Sequence, residues 1–177
     1  MEAASESLEL DKHYVDQALN INSMAQIFVG NYYPPCPQPD QAVGIPPHTD
    51  SGLLTFLINN GVEGLQIEHH GKWFDVQSPP NSILVNVDDH LEIFTNGRFK
   101  SLKHRAVVNK ERERISIGVL NGPAWDAIVG PAVSLVEKDG SAIYHSMDYK
   151  HYLESQLTKT RLGGKSFLEQ QIIIQDN

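Results

Sequence analysis

The chain has 177 residues and a formal net charge of −8 at pH 7, with 22 acidic against 14 basic side chains. That length suits a single domain over 1–177, burying roughly two-thirds of its unfolded surface, and an acidic chain with no Lys/Arg block argues against a nucleic-acid partner, whose footprint is basic and clustered. The lone cysteine, Cys36, cannot close an internal disulfide, and no charged-then-apolar leader or long apolar run is present, so a reducing, cytoplasmic setting without membrane association is expected.

Residues 1–7 are polar and expected to fray. Leu8, Leu10, Tyr14, Val15, Ala18 and Leu19 then recur at roughly helical spacing, which predicts one amphipathic helix within about 1–24. From Ala25 to Tyr33 β-branched and aromatic residues predict a strand, stopped by the proline-rich run at 34–39. Strand-like segments follow at 53–58, 65–68, 73–76, 83–87, 102–108 and 115–120, separated by turn residues such as Asn60 with Gly61, His70 with Gly71, and Pro79 with Pro80. Leu91, Ile93 and Phe94 lie among acidic residues and ahead of Gly97, which predicts a short helix over 88–94. A C-terminal helix is expected from 147 to 157, capped near Gly163 and Gly164. Short strands with Gly and Pro turns read as a mainly β jelly roll with a few flanking helices, its core at about 25–122.

Three short stretches carry chemistry. His48 and Asp50 are two apart in IPPHTD (45–50), so on an extended backbone an imidazole and a carboxylate emerge on one face. A third ligand must come from elsewhere, and His104, beside the apolar Ala106, Val107 and Val108, could be brought alongside by a strand. Two imidazoles and one carboxylate on one side of a metal form the facial triad of non-haem Fe(II) oxygenases, which leaves the opposite side open. Arg114 and Ser116 are likewise co-facial, and a guanidinium fork beside a hydroxyl suits a carboxylate. The same alternation places Asn31 and Tyr33 together.

With these stretches in hand, the sequence resembles the plant 2-oxoglutarate/Fe(II)-dependent dioxygenases, the family of anthocyanidin synthase, flavonol synthase, gibberellin oxidases and hyoscyamine hydroxylase. The resemblance is carried by NYYPPCPQP at 31–39, HTD at 48–50, HR at 104–105 and RIS at 114–116, and extends over about residues 8–152. It implies a double-stranded β-helix (jelly roll). It also implies Fe(II) on His48, Asp50 and His104, and 2-oxoglutarate with its far carboxylate on Arg114, Ser116 and Tyr33, with Asn31 close by. Ascorbate as an activating reductant, O2 and a small hydrophobic plant metabolite or hormone as substrates, and a monomeric state complete the expectation. The family carries a further helical region before this point; a fragment, a truncated gene product and a natural short form are all compatible with its lack, which would expose part of an apolar sheet surface.

Each signal has a plainer reading. A His-x-Asp triplet followed by Ser51 and Gly52 is often a surface turn; only the conjunction of all four stretches favours a metal site. His69 and His70 sit at a hairpin tip, His13, His145 and His151 lie in polar or helical surroundings, and His90 follows two aspartates at a helix start, so none is taken as a ligand. Arg112 fits a solvated charged turn, whereas Arg114 enters an otherwise apolar strand and must be neutralised by something. Asn31 and Tyr33 could instead be a strand-end amide and a core tyrosine. GKS at 164–166 has Lys159 where a phosphate loop needs its first glycine, and Trp73 is expected at the core or rim.

Departures from the family pattern bear on the substrate. Flavonoid-oxidising members commonly carry an aromatic residue where this chain has Leu120 and a lysine where it has Val29, and the ethylene-forming oxidase has an arginine where it has Pro46. A more aliphatic pocket is implied, which turns the reading away from anthocyanidin synthase itself. The runner-up is a truncated, non-catalytic jelly-roll binding module derived from such an enzyme.

Overall fold

The structure is a computed structural model, and it describes residues 1–159 and 168–173. Strands β1 (Ala25–Tyr33), β2 (Ile45–His48), β3 (Leu54–Asn59), β4 (Leu65–His69), β5 (Lys72–Asp75), β6 (Leu84–Val87), β7 (His104–Ala106) and β8 (Arg114–Gly122) form two four-stranded antiparallel sheets. One has the order β1-β8-β3-β6 and the other β2-β7-β4-β5. Apart from the β4–β5 hairpin, the paired strands of the two sheets are non-consecutive, the connectivity of a jelly roll. A small ribbon of β9 (Ile128–Val129) with β10 (Met147–Asp148) lies outside them.

Strand alternation assigns the two faces of the first sheet. On the inner face, Asn31 is opposite Ser116 and Tyr33 opposite Arg114, while Leu120 pairs with Thr55, which pairs with Asn86. On the outer face Phe28, Val119, Phe56 and Val85 form one cross-strand row, and Ile117 with Ile58 another. Phe28, Phe56, Ile58, Val85, Ile115, Ile117 and Tyr32 are exposed and give this face an apolar surface.

The main buried cluster lies among the helices rather than between the sheets. It joins Leu8, Val15 and Leu19 to Leu91, Ile93 and Phe94 of α3 (Asp89–Phe94), Leu135 of α4 (Val133–Asp139) and Tyr152 of α5 (Tyr149–Lys159). The single N-terminal helix read from the periodicity is two: α1 (Glu2–Ser7) and α2 (Tyr14–Ala18). Glu9 has φ of 57°, Leu10 N–H returns to the Ser5 carbonyl at 3.0 Å, and the buried Ser5 hydroxyl accepts from Val15 N–H at 3.2 Å. Residues 2–7 are therefore helical and docked, not frayed. The C-terminal helix starts at Tyr149, two residues later than expected, because 147–148 are drawn into the ribbon. The cap expected at Gly163 and Gly164 and the GKS triplet fall outside the described residues.

Candidate metal and co-substrate site

β2 and β7 pair so that His48 lies directly opposite His104. Their ring centroids are 4.3 Å apart. Asp50, just past the end of β2, places Oδ1 3.5 Å from His48 Nε2 and 3.7 Å from His104 Nε2, and one ligand atom from each residue lies within 4.8 Å of the others. The Nδ1 atoms face away: His48 Nδ1 meets the Pro46 carbonyl at 2.8 Å and His104 Nδ1 the Leu102 carbonyl at 3.1 Å. Donation to those carbonyls occupies Nδ1 and leaves Nε2 of both rings facing Asp50, the nitrogens a metal would take.

The electrostatics agree with a cation-seeking cluster. Burial alone would raise the Asp50 carboxyl, but the hydrogen bond with His48 and the charges of His104 and His48 outweigh it and hold it below its ordinary value. Burial, together with the neighbouring His48, keeps His104 below the usual imidazole value, which favours the neutral form that a metal takes as a ligand. His48 goes the other way: burial opposes its charge, but hydrogen bonds to Asp50 and the Pro46 carbonyl prevail and raise it. A proton on His48 thus competes with a metal for the same carboxylate.

The donors share a cavity of about 150 Å³ with Arg114, Ser116, Asn31 and Tyr33. Arg114 is 2% exposed, yet among the described residues no carboxylate lies within 4 Å of it. Its guanidinium has the Ser116 hydroxyl at 3.4 Å and the Tyr33 ring beneath it at 5.0 Å, and its Nε has no partner. Asn31 Nδ2 reaches the same hydroxyl at 3.5 Å. A Cβ on Gly64 would stand 2.9 Å from Arg114 Cδ and 2.8 Å from the Val107 carbonyl, so glycine is what lets the arginine lie there. A buried guanidinium without a counter-ion is a strong demand for an anionic ligand. Val29 and Leu120 line the same cavity and with Leu57 and Leu65 give it an apolar stretch of wall, beside the polar Thr55, Asn86 and Arg105.

Comparison with known proteins agrees with this geometry. The family model for the 2OG-Fe(II) oxygenase superfamily matches residues 24–123. The chain belongs to that superfamily. It is 46% identical over 162 residues to Protein SRG1 of Arabidopsis thaliana, an alignment covering 91% of this chain and 44% of the relative. Identity to thebaine 6-O-demethylase of Papaver somniferum is 41% over 169 residues, covering 91% of this chain and 46% of that protein. Among solved structures, JOX2 in complex with 2OG, Fe and JA superposes with a TM-score of 0.87 at 31% identity, over 98% of this chain and 52% of the other. The chain thus spans about half the length of the relatives it matches. As a member of the superfamily it is associated with Fe(II) and 2-oxoglutarate, and the donor set and the uncompensated Arg114 both suit that pair.

Several residues around the site escaped the sequence reading. Asp88, Asp89 and His90 are fully buried directly behind the metal donors. Asp88 Oδ2 accepts from Thr55 at 3.0 Å and sits where a Cβ on Gly52 would come within 2.8 Å of it. His90 Nδ1 lies 2.6 Å from the Ser51 carbonyl, with the rings of Tyr149 and Tyr152 edge-on to it, and burial pushes its pKa down to about 4. Two acids and a histidine opening a helix read as an ordinary first turn; only contacts with residues some forty positions earlier reveal their place. His69 and His70 are exposed, with no carboxylate or third histidine completing a metal group around them among the described residues, as expected for a hairpin tip. Trp73 sits at the sheet surface under the Arg105 guanidinium, 4.2 Å from its ring centroid.

Proposed function

We propose that this chain carries the catalytic centre of a 2-oxoglutarate-dependent dioxygenase, coupling oxidative decarboxylation of 2-oxoglutarate to hydroxylation or a related oxidation of a small plant secondary metabolite or hormone. The observation that carries the reading is one cavity holding both a three-donor cluster and a buried, uncompensated arginine. His48, Asp50 and His104 would hold Fe(II), which supplies the redox chemistry of O2 use and co-substrate decarboxylation when bound. Arg114 would fix the far carboxylate of 2-oxoglutarate through two parallel N–H donors, with Ser116 adding a hydroxyl. Tyr33 supports the guanidinium from below and Asn31 orients the serine. The apolar wall of Val29, Leu57 and Leu120 would seat the organic substrate and keep water from the reacting centre. Relatives named for thebaine demethylation and for auxin oxidation act on small molecules, in line with that substrate class.

The same reading includes ascorbate as an activating reductant, a monomer without nucleic-acid or membrane partners, and a cytoplasmic location. The acidic charge and single cysteine favour the last two. No helix among the described residues is long and apolar enough to cross a membrane. A second reading, a non-catalytic module, is favoured by one observation: the outer face of the first sheet is apolar and exposed.

Anaerobic titration with Fe(II) and then 2-oxoglutarate separates the two. A visible charge-transfer band, lost in His104→Ala, supports the dioxygenase centre. Folded protein that binds Fe(II) without developing the band has an incomplete co-substrate site, and the module reading replaces it.

A further inference from the structure

The segment that bears His48 and Asp50 is held from behind by α3 and α5. Thr49, between the two donors, turns its side chain away from the cavity, and its hydroxyl donates to Asp89 Oδ2 at 2.9 Å. The same oxygen accepts from the Tyr152 hydroxyl at 2.5 Å and from Gln156 Nε2 at 3.0 Å, both on α5. Asp89 also grips the segment through its backbone, its N–H donating to the Asp50 carbonyl at 2.9 Å. His90 N–H extends the grip to the Gly52 carbonyl at 2.9 Å and Asp88 N–H to the Leu53 carbonyl at 3.1 Å. Asp89 and Tyr152 are both fully buried.

A carboxylate in the protein interior needs donors to offset its desolvation, and here one oxygen collects three of them from two distant parts of the chain. We infer that Asp89 is a positioning residue for the metal centre, joining Thr49 to Tyr152 of α5 so that docking of the C-terminal helix sets the orientation of the His48 and Asp50 side chains. The inference rests on the metal centre proposed above and goes beyond it. It makes α5, which contributes no ligand, part of the apparatus that shapes the site. Without the Thr49–Asp89 anchor the backbone of 48–50 is freer to turn about its own axis, and because alternate residues of an extended segment share a face, His48 and Asp50 would turn with it. Outer-shell partners of metal ligands commonly govern affinity in this way.

The test uses the full chain and the metal alone. Thr49→Val and Tyr152→Phe each delete one hydroxyl while keeping the side-chain shape, and Thr49→Ser restores the donor. Fe(II) affinity is read by anaerobic titration, and donor geometry by the visible absorption of the Co(II)-loaded protein. Folding is checked by thermal unfolding without metal. The expected result is Fe(II) affinity weakened about tenfold or more in Thr49→Val and in Tyr152→Phe, an altered Co(II) spectrum in both, near-native values in Thr49→Ser, and less than additive loss in the double variant, since both act on one oxygen. Variants that are less stable but bind metal in their folded form with unaltered affinity and spectrum overturn the positioning role while leaving the metal centre standing. An unaltered protein that binds neither ion overturns both.

Discussion

Replacing Arg114 with Met separates a ligand-binding arginine from a structural one, because the two roles predict opposite changes in stability. In the wild-type chain Arg114 is 2% exposed, and among the described residues only a hydroxyl at 3.4 Å and an aromatic face at 5.0 Å stand against its charge. Stacking over a ring returns about 0.5–2 kcal/mol, and one hydrogen bond to a charged group about 1.5–3 kcal/mol. The penalty for burying an ion is several kcal/mol. Met retains most of the apolar stem without the charge, so Arg114→Met should stabilise the ligand-free protein by about 1–3 kcal/mol. In a chain of this size that is a rise of roughly 3–10 °C in Tm. The same change should abolish the ligand response. With Fe(II) bound and 2-oxoglutarate at a hundred times its Kd, the wild-type chain gains about 2.7 kcal/mol, and Arg114→Met gains none. Anaerobic thermal unfolding with and without 2-oxoglutarate reads both quantities. A variant destabilised in the absence of ligand would show that the guanidinium serves the fold, and the co-substrate assignment would be withdrawn.

Three further changes probe neighbouring steps of the argument. Arg114→Lys keeps the charge but loses the fork, so 2-oxoglutarate affinity should fall about tenfold to a hundredfold, the equivalent of one charge-assisted hydrogen bond, while Fe(II) affinity stays near wild type; equal loss of both contradicts separate sites. Gly64→Ala puts a methyl 2.9 Å from Arg114 Cδ and 2.8 Å from a backbone carbonyl, which should cost about 1–3 kcal/mol of stability and weaken 2-oxoglutarate more than Fe(II), as paired titrations would show. His90 is neutral in the fold with a pKa of about 4, against 6.5 for the free side chain. Below pH 6.5 the unfolded chain takes a proton that the folded chain refuses, so stability is lost as pH falls from 6.5 toward 4, by about 3 kcal/mol in all. Asp89, pushed up to about 6 by burial, contributes in the opposite sense over much of that range. The comparison is therefore between wild type and His90→Asn. Their urea midpoints should converge or cross as pH is lowered from 7 to 4.5, and a pH-independent difference would remove His90 as the titrating group.

What the sequence made legible was whatever depends on alternation within one strand. His48 with Asp50, Arg114 with Ser116, and Asn31 with Tyr33 are each two apart, and the structure sets each pair on one face. The positions of β1 and of β3 to β8 followed from the same local signal, with ends off by a residue or two, whereas the two-residue strands β9 and β10 are too short to leave one. The N-terminal helix was misread for a local reason of another kind. A left-handed Glu9 and a buried Ser5 hydroxyl interrupt an apolar spacing that still looks continuous.

The pairing of His48 with His104 is a register between strands 56 residues apart. Hydrophobic pattern fixes such a register only through the face it buries, so the residue types suggested a triad while the fold alone assembles it. The support behind the donors was more deeply hidden. Asp89 is exceptional neither in type nor in spacing; its role follows from meeting Thr49 forty residues before it and Tyr152 sixty-three residues after it on a single oxygen. Ligands are visible in a sequence because their chemistry restricts which residues can serve. The groups that orient them are chosen by geometry, so a buried polar atom with several distant partners is where a reading of the structure adds most to a reading of the chain.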